Sequence, residues 1–129
     1  MSIHVEIVTP TAVAFRGEAS TVEAPGFLGE FGVLPGHTPF LSVVRPGLVT
    51  IHTAEGDHRF VVGIGFVEAG PDRLVVLTEE FERAEDVDKD AARAELDAAN
   101  KVLGTADPDS GDFRNAERDA AVARARLSV

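Results

Sequence analysis

The 129-residue chain contains no cysteine, no tryptophan and no tyrosine. Without cysteine there is no disulfide, no thiolate metal site and no thiol nucleophile. Basic residues are scarce: 12 Lys and Arg stand against 22 Asp and Glu, for a formal charge of −10. Nucleic-acid binding relies on Lys and Arg to displace counterions, so this balance excludes a nucleic-acid partner and disfavours adhesion to anionic lipid. No run approaches the roughly 18 consecutive apolar residues of a membrane-spanning helix. The start, Met1-Ser2-Ile3-His4-Val5-Glu6, lacks a basic region followed by an apolar stretch and does not read as a signal peptide. The expectation is a soluble intracellular chain that meets a membrane only through a partner.

What is present divides near residue 83. Residues 1–82 hold ten of the 12 glycines, six of the seven prolines and seven of the eight phenylalanines, but only six alanines. Residues 83–129 hold twelve alanines and eight of the 12 basic residues. The first part reads as strands and turns, the second as helix. Ile3, Val5 and Ile7 alternate with His4, Glu6 and Val8 until Pro10 stops them. Ala12–Phe15 and Thr21–Ala24 are further strands, separated at Arg16-Gly17. Leu48–His52 and His58–Val62 flank a hairpin turn at Ala54-Glu55-Gly56-Asp57. Gly65–Ala69 and Arg73–Leu77 flank another at Gly70-Pro71-Asp72. Strands this short and closely spaced indicate a sandwich or barrel.

The second part reads as an antiparallel helical hairpin. Asp86 or Asp88 caps the first helix. Ala92, Leu96, Ala99 and Leu103 form one apolar stripe, and Gly104 is the expected stop. Asp107-Pro108 supplies an N-cap and first position for the second helix, whose stripe is Phe113, Ala116, Ala120, Ala123 and Leu127. The large apolar side chains are few: Leu96, Val102, Leu103, Phe113 and Leu127. They are too few to offset the entropy of ordering about 40 residues, so the hairpin needs a surface to dock on. The fold class is therefore α+β, with an all-β unit over 1–83 and a helical hairpin over 84–129.

The most distinctive stretch is Pro25-Gly26-Phe27-Leu28-Gly29-Glu30-Phe31-Gly32-Val33-Leu34-Pro35-Gly36-His37-Thr38-Pro39. Four glycines and three prolines among apolar residues make a rigid, shaped surface element rather than a solvated linker. It resembles the epsilon subunit family of bacterial F-type ATP synthases, called delta in mitochondria. That family shows Gly-Glu-aromatic/aliphatic-Gly, then Pro-Gly-His-Thr/Ala-Pro, then a Pro-Gly pair, here Pro46-Gly47. The order of elements matches too, so the resemblance covers nearly the whole chain.

The resemblance implies a flattened β-sandwich followed by the hairpin, in a non-catalytic rotor subunit of the central stalk. Its implied partners are the gamma subunit, the c-ring, and transiently alpha and beta through the helices. The implied place is the cytoplasmic face of the plasma membrane. Glu30, Phe31 and His37 are the implied c-ring contact residues. The family couples proton flow to ATP synthesis. In some members the hairpin extends along gamma and inhibits ATP hydrolysis, and in some it binds ATP as a regulatory ligand. The ATP pattern is Ile/Leu-Asp-x-x-Arg-Ala with arginines from the second helix. Here Asp90, Arg93 and Arg126 match, while Lys89 and Val122 depart from it. No cofactor is required.

Other features have bland readings beside functional ones. Glu30 is also readable as a solvated loop carboxylate, and His37 as a turn histidine bonding nearby backbone. His52 and His58 face one another across the Glu55-Gly56 hairpin, with no further ligands for a metal. Gly63-Ile64-Gly65 lacks the Lys-Ser/Thr of a phosphate loop and reads as a bulge or close packing. Arg114, Arg118, Arg124 and Arg126 are a solvated face or a face for acidic protein. No nucleophile–base pair suggests an enzyme. A β-barrel whose hairpin gates a small ligand such as ATP is the alternative class.

Overall fold

Alternation decides where the core lies. In β1 (Ile3–Val8) the odd residues Ile3, Val5 and Ile7 are fully buried, while His4, Glu6 and Val8 point outward. A computed structural model describes all 129 residues. The strands that follow are β2 (Val13–Ala19), β3 (Thr21–Gly26), β4 (Gly29–Val33), β5 (Phe40–Val44), β6 (Gly47–Thr53), β7 (Gly56–Val62), β8 (Gly65–Ala69), β9 (Arg73–Thr78) and β10 (Phe81–Arg83). A 3₁₀ turn at Ala84–Asp86 leads to α1 (Lys89–Thr105) and α2 (Gly111–Leu127).

The strands form one hydrogen-bonded path, β10-β7-β6-β3-β5-β8-β9-β1-β2, with β4 beside β3. All pairings are antiparallel except β1 with β9. β3 is the corner. Its first half pairs with β6 and its last residue, Gly26, pairs with Val44 of β5. The path folds there into two layers. Phe15 of β2 reaches across to Phe60 of β7, with ring centroids 5.3 Å apart, and nearly closes the barrel. Sixteen buried residues fill the core of the barrel, Phe60 the largest of them.

Close packing explains one glycine. A Cβ on Gly65 would lie 1.9 Å from the Leu77 carbonyl oxygen, so no side chain fits where β8 meets β9. The Gly63-Ile64-Gly65 stretch is thus a packing device, as its sequence suggests.

The structure corrects several expectations. β2 runs unbroken through Arg16 and Gly17, because every residue of that stretch pairs with β1; the break comes at Ser20. His52 and His58 do not face one another. His52 pairs with Asp57 and His58 with Ile51, so the histidines lie on opposite faces. Asp88, not Asp86, caps α1, its Oδ1 accepting from the Ala91 N–H at 3.1 Å. Gly104 is carried inside the last turn of α1, which ends at Thr105 with Ala106 as its C-cap, ahead of Pro108. Asp107 closes a side-chain turn onto the Asp109 N–H instead of capping α2, and Ser110 is the cap.

The hairpin of α1 and α2 is an arm folded down on the β unit. Ala99, Ala116 and Ala120 form its own small core with Leu96 and Leu103. The side of α2 that does not meet α1 rests on β6 and β7.

Candidate protein-docking site

The glycine- and proline-rich stretch is a tight hairpin and a pinned loop. Gly26 pairs with Gly29, leaving only Phe27-Leu28 to turn the chain, and Gly29 takes φ +130°. Phe27 and Leu28 are 65% and 97% exposed at the tip. Gly26 also leaves room for the Phe31 ring, which a Cβ there would meet at 2.7 Å. Phe31 packs edge-on against Phe40 at 5.6 Å, and Phe40 against His37 at 5.0 Å. The structure thus joins Phe31 and His37 through Phe40, which the sequence reading did not single out. Glu30 is exposed beside them, paired in register with Pro25.

The loop after β4 is fixed by backbone bonds. The Gly36 N–H donates to the Pro71 carbonyl at 2.6 Å, and His37 N–H to the Leu34 carbonyl at 3.2 Å. His37 Nδ1 lies 2.7 Å from the Thr38 carbonyl, an acceptor, so that ring nitrogen carries the proton. The local backbone bond expected of a turn histidine is present, and the ring still presents an edge to Phe40.

A second feature was missed from the sequence. Register places Val43, Phe66, Leu77, Val8 and Val13 side by side across β5, β8, β9, β1 and β2. Val43, Phe66, Leu77 and Val13 are 40–51% exposed, with the 52% exposed Ile64 adjoining. Residues paired across strands share a face, so this is one apolar row on the outside of a sheet. The signal was there in strands that are apolar on both faces, such as Arg73–Thr78 with Val75 and Leu77 outward.

The arm carries the least exposed charged side chain among the ion pairs, Arg126. Arg126 of α2 donates from Nε to Glu82 Oε1 at 2.8 Å and from Nη1 to both Glu95 oxygens at 2.9 Å. Its side chain is only 13% exposed. The Glu82 carboxylate, and secondarily Glu95, raise its pKa above the ordinary arginine value despite partial burial. One guanidinium thereby ties α2 to α1 and to β10. Asp90 and Arg93 pair with each other on the exposed side of α1. The structure does not bring them to Arg126.

Within the β unit His52 bridges two carboxylates, Glu23 at Nε2 and Asp57 at Nδ1, each at 2.7 Å. Glu23 first and Asp57 second raise its pKa above 6.5. His4 is raised likewise by Glu18 and then Glu6. No group of three or more His, Asp or Glu is arranged to hold a metal ion. No helix is long and apolar enough to cross a membrane.

Comparison with known proteins decides what this scaffold is. The family described as ATP synthase, delta/epsilon chain, beta-sandwich domain matches residues 2–84. The chain belongs to the ATP synthase delta/epsilon family. The ATP synthase epsilon chain of Moorella thermoacetica is 39% identical over 129 residues, covering 99% of this chain and 96% of the relative. That of Bordetella parapertussis is 38% identical over 126 residues, covering 97% and 89%. Among solved structures, a chain of the Euglena gracilis mitochondrial ATP synthase OSCP/F1/c-ring assembly superposes with TM-score 0.87 at 18% identity, covering 98% of this chain and 80% of that one. A chain of the Tetrahymena thermophila central stalk and c-ring gives 0.66 at 16% identity, covering 99% and 96%. At that identity the structural likeness speaks for the fold alone. Epsilon chains are accessory subunits of the synthase and not its catalytic ones, so the features of this family member that bear on function are surfaces.

Proposed function

We propose that this epsilon-family chain is a rotor subunit of the central stalk that couples proton translocation to ATP synthesis at the cytoplasmic face of the membrane. The apolar row Val43–Phe66–Leu77–Val8–Val13 carries the reading, with gamma as the body that covers it. Covering half-exposed side chains of this size is worth about 1 kcal/mol apiece, so about 5 kcal/mol for the row. That is a substantial part of a protein–protein affinity, before ordering costs. Glu30, Phe31 and His37, with Phe40, form the c-ring contact. The rigid backbone under these residues, with Gly29 at φ +130° and Gly36 tied to Pro71, supports it.

The arm restrains ATP hydrolysis when it leaves the β unit and engages alpha and beta. In the folded-down arm Arg126 is already committed to Glu82 and Glu95, and a phosphate would have to compete with both. The test is capture of the full chain by purified gamma subunit of its own synthase. A chain that stays a free monomer at micromolar concentration ends the rotor reading. Removing residues 84–129 from the assembled enzyme is expected to raise its ATP hydrolysis; an unchanged rate removes the restraining role alone.

A further inference from the structure

Helix α2 uses its alanine face, Ala116, Ala120 and Ala123, to bury itself. Arg114, Glu117, Arg118 and Ala121, spaced i, i+3, i+4 and i+7, make a different face. That face overhangs the β5–β6 corner and the Phe27 tip, leaving a groove of about 530 Å³ between arm and β unit. Its floor is apolar, from Phe27, Val43 and Ile64, which are 65%, 40% and 52% exposed. Its rim is basic, with Arg45 from the β unit, Arg114 and Arg118 from the arm, and Glu117 the one carboxylate. Acids outnumber bases 22 to 12 in the chain, so the groove reverses the overall balance.

These arginines are not engaged across the groove. Arg45 and Arg114 donate to backbone carbonyls, Phe27 at 3.5 Å and Asp109 at 3.0 Å. Arg118 pairs at 3.6 Å with its own neighbour Asp119, on an exposed surface. Ile64 and Arg118 also line the adjoining groove that contains Val8, Phe66 and Leu77. A body covering the apolar row therefore runs directly into the basic groove.

We infer that the groove receives a carboxylate-bearing segment of the same protein that covers the apolar row, so that partner binding holds the arm down. The inference rests on the rotor reading. Charge complementarity and continuity with the row identify the occupant. A chain of net charge −10 repels an extended polyanion, whereas a short acidic segment neutralises the local arginines. Two of the three arginines belong to the arm, so the partner binds the folded-down state more tightly than the released one. By linkage, the folded-down arm tightens the partner by the same factor.

The experiment measures affinity of the full chain for purified gamma subunit at low and high salt. The Arg114→Glu/Arg118→Glu variant changes two exposed side chains, and circular dichroism checks that it folds. It is expected to bind about tenfold more weakly or worse at low salt, with the gap narrowing as salt rises. Arg124→Glu, exposed on α2 outside the groove, is expected to bind nearly as the wild type. Gamma is also expected to slow amide exchange in both helices of the wild type and not of the double variant. Equal affinities for wild type and double variant overturn the inference and leave the rotor reading standing. So does a loss no larger than that of Arg124→Glu, which would report net charge alone. Anionic vesicles captured by the wild type and released by the same reversal would assign the groove to lipid. A wild type that ignores gamma brings down the rotor reading and the inference with it.

Discussion

The two regions are stabilised in different ways. The β unit buries 16 core residues, among them Phe60, Ile3, Ile7, Ile51 and Leu74. The arm buries alanines around half-buried Leu96 and Leu103. Alanine seams allow close approach of helices but remove little apolar area from water. The β unit therefore carries its own stability, while the arm borrows from its neighbours through the rest of α2 on β6 and β7 and through Arg126. A part held this way can leave without unfolding what it leaves.

The largest way to break this contrast is Phe60→Ala. Phe60 is fully buried, packs on Phe15 and Phe81, and lies under the Arg83 guanidinium. Truncating such a ring costs about 3–5 kcal/mol. Denaturant unfolding should show the whole β unit destabilised, and the arm lost with it. Next is Arg126→Ala. A fully buried ion pair broken on one side costs about 3–5 kcal/mol and an exposed one about 0–1 kcal/mol. Glu82 is 32% exposed and Glu95 53%, so the expected cost is intermediate, about 1–3 kcal/mol. It should fall on the arm alone. Hydrogen exchange should quicken across residues 89–127 while β-strand amides keep their protection. Uniform loss of protection would show the two regions to be one cooperative unit.

Asp88→Ala sharpens the comparison at smaller amplitude. It removes the Oδ1 acceptor of the Ala91 N–H and costs about 1 kcal/mol of helix stability. Faster exchange confined to the first turn of α1 is expected. Loss of protection along the whole hairpin would mean that the cap, and not Arg126, holds the arm.

The same contrast explains what the sequence disclosed. Helical stripes were legible because period 3.6 is a local property, and Ala92, Ala99, Ala116, Ala120 and Ala123 are all buried as the spacing requires. Their ends were misplaced at Gly104 and Asp107, where Asp107 caps a turn of its own and Ser110 competes successfully for the helix. In the β unit, turns at Gly56 and Gly70 were legible from their residues. Register was not, and the error at His52/His58 is a register error, while the break expected at Arg16-Gly17 is a misplaced strand boundary, since pairing with β1 carries β2 through to Ala19. The apolar row is wholly a product of register, since its five residues come from five strands. Phe40 likewise joined Phe31 and His37 only in three dimensions. The Glu30 segment was legible because positive φ and a ring packed on a glycine demand particular residues.

The smallest expected effect is a pH dependence confined to the β unit. Glu23 and Asp57 raise the pKa of His52 above 6.5, because its protonated ring donates to both carboxylates. A raised folded-state pKa means that the native state holds the proton more tightly than the unfolded chain. The contribution is fully present below the unfolded value near 6.5 and is lost as pH rises through the folded one. The melting temperature should therefore fall, as pH climbs through that window, more in the wild type than in His52→Gln, which cannot protonate. His4, raised in the same sense by Glu18 and Glu6, leaves a common slope in both proteins, so the difference between the two curves isolates His52. Because both side-chain hydrogen bonds of His52 stay within the β unit, joining β6 to β3 and β7, exchange rates of α1 and α2 should be indifferent to the substitution at every pH. If the arm responded as well, the division between a self-sufficient β unit and a borrowed arm would be wrong at this face.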